Sequence, residues 1–152
     1  MRITGVLTVL ALLVAAPVAL AATNAEIVKA RQEHYKTIGK SFKGAMDELK
    51  KPDPSVPALQ GYAKAIDDLA PQVPTWFPKG TGIGEGVKTA AKPEIWSKPQ
   101  DFAKAANGLK VEAAAFYALS QKGDVAGMKA ELPKLGGACK SCHDQFKAKD
   151  EQ

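Results

Sequence analysis

Apolar positions recur every three or four residues through four stretches of this chain, and nothing alternates with the period of two that a strand requires. The first stretch begins near Asn24, a residue suited to an N-cap. Its stripe is Ile27, Ala30, Tyr35, Ile38, Phe42, Met46 and Leu49, and Pro52 and Pro54 stop it near Lys50. The second covers residues 55–69 with Leu59, Tyr62, Ile66 and Leu69 on one face, closed by Pro71 and Pro74. The third covers residues 98–121 with Phe102, Ala106, Leu109, Ala113 and Phe116 inward, and Gly123 suits its C-cap. Asp124 then caps a fourth stripe: Val125, Met128, Leu132, Leu135, Cys139, Cys142 and Phe146. Pro133 and Gly136-Gly137 are expected to bend or loosen this helix, although its phase survives them.

Four amphipathic helices with mostly short connections predict an all-α fold, an antiparallel up-down four-helix bundle. Each helix alone would be marginal in water, so the shared apolar seam must stabilise them. The one long connection, residues 75–93, carries Gly80, Gly82, Gly84 and Gly86. No strand precedes it and Lys88-Thr89 is not at Walker spacing, so it reads as a flexible connector and not a phosphate loop. Trp76 and Trp96 read as packing residues where this connector meets helices.

Ahead of the first helix, Arg2 supplies a positive start and residues 6–18 a short apolar run. Ala19-Leu20-Ala21 then offers a small-residue cleavage site. Residues 1–21 are therefore expected to be a cleaved signal peptide, and residues 22–152 a mature single domain, soluble, without a membrane anchor and periplasmic. Pro17 interrupts the apolar run, which falls short of the roughly 20 residues of a membrane span. With 21 Lys and Arg against 16 Asp and Glu, the charge is modest and forms no concentrated stripe, which argues against a nucleic-acid partner. A lysine-rich surface of this kind is mostly solvated, and it complements an acidic redox partner protein.

Cysteine usage changes the picture. The chain has two cysteines, and a bridge between residues so close would close almost no loop and stabilise little. Cys139-Lys140-Ser141-Cys142-His143 is instead the C-x-x-C-H attachment sequence of c-type haem. Three residues apart on a helix, both thiols lie on one face and can add to the two vinyl groups of one porphyrin. His143 then becomes the axial metal ligand, giving one covalent haem c. A redox dithiol of the thioredoxin kind would need a βαβ setting, and structural zinc would need four ligands, where this chain offers only Cys139, Cys142, His143 and His34.

Bundle topology indicates what opposes His143. With the first and fourth helices antiparallel, the end of the fourth lies beside residues 31–38 of the first. Met46 is eleven residues beyond Tyr35, about 16 Å along the axis, and Met128 is farther still from His143. His34 and Tyr35 remain. Tyr35 is in phase with Ile38 and Phe42, whereas His34 is turned by about 100°. The expected distal residue is Tyr35, leaving iron five-coordinate, and the alternative is His34 as a sixth ligand. Arg31, one turn before Tyr35, has the donor fork that suits a propionate.

At these residues the chain resembles the cytochrome c′ family, the class II c-type cytochromes, over nearly all of its mature length. The matching features are the C-terminal C-x-x-C-H, Arg31-Gln32 ahead of Tyr35, and Gly80-Thr81 followed by Pro93-Glu94-Ile95-Trp96. The resemblance implies that Arg31 and Gln32 contact the haem propionates, that Tyr35 covers the distal face, and that the protein is a homodimer through its first two helices. Where members often carry arginine four residues after the haem histidine, this chain has Lys147.

The functional expectation is electron transfer by a high-spin haem, since a haem fixed in a rigid bundle changes oxidation state with little rearrangement. The alternative is binding or scavenging of a diatomic gas, nitric oxide or carbon monoxide, at the open face. An enzyme is not expected, because peroxidase-like chemistry needs a distal acid-base group and His34 is the one imidazole available for it.

Overall fold

The computed structural model describes residues 22–149, so the expected signal peptide lies outside the described residues. Helix α1 spans Asn24–Leu49, α2 Val56–Leu69, α3 Glu94–Ser97, α4 Pro99–Gln121 and α5 Val125–Phe146, and a 3₁₀ segment follows α2 at Ala70–Trp76. The four long helices are those the apolar periodicity predicts, arranged as the expected up-down bundle. No helix among the described residues is long and apolar enough to cross a membrane.

Local chemistry sets the helix ends. Thr23, not Asn24, is the N-cap of α1: its hydroxyl accepts from Glu26 N, and the Glu26 carboxylate accepts from Thr23 N at 2.8 Å. This reciprocal box satisfies two of the orphan donors of the first turn. Asn24 is freed to donate from Nδ2 to Gly80 O at 3.0 Å, tying the helix start to the long loop. Asp124 caps α5 through Gly127 N at 2.8 Å, as its sequence position predicts. Helix α5 runs unbroken through Pro133. Gly136 does not loosen it: a Cβ there would stand 3.1 Å from the Phe42 ring, so the glycine allows α1 to approach.

Packing order positions the site. Helix α1 lies on α2, α2 on α4, and α4 on α5, while α1 and α5 barely touch. The core runs through Leu59, Ile66, Phe116, Met128 and Leu135, all essentially inaccessible. Where α1 and α5 would otherwise meet, a cavity of about 400 Å³ separates them.

Of the stripe expected for α1 only Ile38 and Leu49 are fully buried. Ala30 is exposed, while Arg31, Ser41, Ala45 and Glu48 are buried with Ile38 and Leu49. The seam with α2 uses small residues that a hydrophobic pattern underweights; at Gly44 the Tyr62 ring occupies the space of a side chain.

Candidate haem site

The last turns of α5 carry Cys139, Cys142 and His143. Both thiols are free, half-buried and packed against the core. Burial pushes both up, Cys142 to about 11 with Cys139 adding to the effect, so both remain neutral thiols near neutrality. His143 is pushed down, first by partial burial and then by Lys147, with Asp144 opposing, which favours the neutral imidazole that has a lone pair to donate. Among the described residues no three His, Cys, Asp or Glu side chains converge on a point that could hold a metal ion.

The cavity beside these groups takes Cys142, His143 and Phe146 from α5, Lys147 just past its end, and Arg31, Gln32, Tyr35 and Lys36 from α1; Phe77, Ile95 and Phe102 line it further, and Cys139 is not among the lining residues. Its wall is a chain of rings in tilted or edge-on contact. Tyr35 and Phe77 have centroids 6.3 Å apart, Phe77 and Phe102 5.0 Å, and Phe102 and Phe146 5.3 Å. A mainly apolar cavity, with the Cys142 thiol and a neutral imidazole on one side and Cys139 three residues before Cys142 on the same helix, fits a flat apolar macrocycle held through sulfur and nitrogen.

Tyr35 lines the cavity opposite α5, and burial raises its phenol well above the ordinary range. It is therefore a neutral hydroxyl at any working pH. His34 is not among the lining residues. Its ring packs on Trp76 with centroids 4.7 Å apart, and its Nδ1 is buried without a hydrogen-bond partner. Neither Met46 nor Met128 lines the cavity; Met128 is 1% exposed in the core.

Arg31 is 3% exposed and pairs with no carboxylate among the described residues. Its Nη1 donates to Trp76 O and Thr81 Oγ1, and its Nη2 to Thr81 O and Thr89 Oγ1, over 2.9 to 3.2 Å. Gln32 Nε2 donates to Lys88 O at 3.0 Å. Both side chains thus border the cavity, with these donors directed to the long loop. Burial lowers the Arg31 pKa, yet a guanidinium keeps its charge.

The loop expected to be a flexible connector is held in place. Besides Arg31, an antiparallel bridge joins Ala91 to Lys147, with Lys92 N donating to Phe146 O at 3.0 Å and Ala148 N to Ala90 O at 2.8 Å. Thr81 is fully buried, and Gly82 leaves room for the Trp96 ring. Phe77, Thr81, Thr89 and Ala91 escaped the periodic pattern because no helix carries them. Thr81 within the glycine run and Thr89 just after it were the one local signal.

Covalent-haem signature, bundle and ring-walled cavity together define a c-type cytochrome of the helical-bundle class. The sequence pattern of Cytochrome C′ matches residues 26–147. Cytochrome c′ of Rhodospirillum rubrum is 35% identical over 133 residues, covering 87% of this chain and 84% of that one. Cytochrome c-554 of Cereibacter sphaeroides is 42% identical over 77 residues; the match spans 51% of this chain and only 50% of that relative. The atomic structure of a cytochrome c′ with ligand-controlled dimer dissociation superposes with a TM-score of 0.79 at 25% identity, over 86% of this chain and all of that one. The chain belongs to the cytochrome c′ family, whose members carry covalently bound haem c.

Proposed function

We propose that this protein is a periplasmic one-electron carrier in which Cys139 and Cys142 hold one haem c through thioethers. Each thiol would add its sulfur and its proton across one vinyl group of the haem, and His143 would supply the axial nitrogen to iron. The observation that carries this reading is the pairing across the cavity: a neutral phenol, Tyr35, lines the cavity with His143, and among the described residues no second imidazole or thioether does. When bound, the haem supplies one-electron chemistry and, with one axial position open, a site for a diatomic ligand.

The surroundings suit that role. Rings from α1, the loop, α4 and α5 make a rigid wall, which keeps rearrangement on electron transfer small. Arg31 places a buried positive charge beside the cavity that a propionate would complement. Lys36 and Lys147 border the cavity and, among the described residues, no carboxylate does, so an acidic redox partner would be steered toward it.

Binding of a diatomic gas is the second reading, favoured by the same open face under Tyr35. One cytochrome c′ similar to this chain is named for a ligand-controlled dimer dissociation, and a homodimer is proposed here as well. No enzymatic role is proposed, since the one candidate for distal acid-base work, His34, stacks on Trp76 away from the cavity.

Spectroelectrochemical titration of the exported holoprotein tests the carrier reading. A reversible one-electron wave, retained in H34A with an unchanged spectrum, is expected. Irreversible behaviour would overturn the carrier, and a changed spin state in H34A would overturn the ligand assignment.

A further inference from the structure

We propose that Trp76 is a positioning residue for the open haem face: its indole holds the Tyr35 ring over the cavity and so sets how fast a diatomic ligand enters. The inference rests on the five-coordinate reading above. It goes further in assigning the control to a residue outside the cavity wall.

Trp76 ends the 3₁₀ segment and is 7% exposed, yet it does not line the cavity. Its ring meets the Tyr35 ring edge-on, with centroids 5.2 Å apart and planes at 89°. That arrangement aligns the positive edge of one ring with the negative face of the other, so it resists rotation as well as separation. The neighbouring His34 ring packs on the same indole at 4.7 Å, so two consecutive residues of α1 hold it.

The backbone that carries the indole is also tied to the helix that carries Tyr35. Arg31, four residues before Tyr35 on α1, donates from Nη1 to Trp76 O at 3.2 Å. The same guanidinium sits 4.3 Å from the centroid of the Phe77 ring, and Phe77 flanks Tyr35 at 6.3 Å. A ligand entering beneath Tyr35 must displace the phenol, and the phenol is braced by a ring anchored to its own helix. Losing one edge-to-face pair raises the population of the displaced ring by up to about tenfold.

The test uses the haem-loaded protein and carbon monoxide association to its reduced form, followed after flash photolysis. W76L should accelerate association about three- to tenfold, and W76F, which keeps a ring, should restore it to within about twofold of wild type. In a Y35A background, already fast, W76L should add nothing, because Trp76 acts only through Tyr35. In the crystal structure of W76L the Tyr35 ring should have left its edge-on position. An unchanged W76L rate alongside a fast Y35A would overturn the role of Trp76 and leave the open face standing. An unchanged Y35A rate would overturn the lid reading itself. Equal acceleration by W76L with and without Tyr35 would show general loosening and also overturn the proposal. Should W76L fail to fold, H34A decides: removing the other α1 ring packed on Trp76 should accelerate association, and no change would overturn the brace.

Discussion

Arg31 and Thr81 are joined twice, Nη1 donating to the threonine hydroxyl at 3.1 Å and Nη2 to its carbonyl at 2.9 Å. The same fork reaches Trp76 O and Thr89 Oγ1, so one buried cation fastens the 3₁₀ segment and the long loop to α1. Hydrogen bonds to a charged group contribute about 1.5–3 kcal/mol each, and orphaned buried acceptors add to the loss. Arg31→Met is expected to lower the unfolding free energy by about 2–4 kcal/mol. Arg31→Lys should recover less than half of it, because one ammonium cannot span a planar fork's acceptors. Urea titration followed by far-UV circular dichroism measures both; a lysine variant as stable as wild type would contradict the clamp.

The glycines of the helices are not equivalent. A Cβ at Gly44 would lie 2.6 Å from Cε1 and Cζ of the Tyr62 ring, whereas one at Gly108 would meet nothing within 4 Å. Overpacking costs about 1–3 kcal/mol, against a helix-propensity gain near 1 kcal/mol for Gly→Ala. G44A should therefore melt below wild type by about 1 kcal/mol and G108A above it by up to about the same. If both shifted upward, α1 and α2 would be less closely seated than the Tyr62 contact indicates.

Glu48 links the end of α1 to the start of α2. Its Oε1 accepts from Ser55 N at 2.8 Å and its Oε2 from Lys51 Nζ at 2.6 Å. These bonds, the Lys51 one first, hold its carboxyl below the ordinary 4.5. Because the folded value is depressed, the stabilisation is fully present above pH 4.5 and is lost as pH falls through the folded value. Melting temperatures of E48Q and wild type should differ at neutral pH and converge in acid. A gap that stayed constant down to the acid limit would show that the carboxylate charge contributes nothing.

Much of this was legible in the residues, unevenly. Period and caps located the four long helices because a helix writes its buried face at every third or fourth position, and antiparallel packing then placed Tyr35 across from His143. Thr23 was passed over for Asn24 since both are good caps, and only Glu26 three residues on distinguishes Thr23. The loop was misread because glycines dominate it, while what orders it is Arg31, fifty residues away along the chain from Thr81. Phe77 sits outside any helix and Trp76 ends a short 3₁₀ segment that writes no apolar period, so their place beside Tyr35 could come only from the fold.

The central claim is an open iron face beneath Tyr35, and the visible spectrum of the reduced holoprotein before and after carbon monoxide tests it most directly. The account predicts a high-spin ferrous spectrum that shifts when the gas is added, in wild type and in H34A alike. A sharp low-spin spectrum indifferent to carbon monoxide would contradict it and mean that a sixth protein ligand occupies the face assigned to Tyr35.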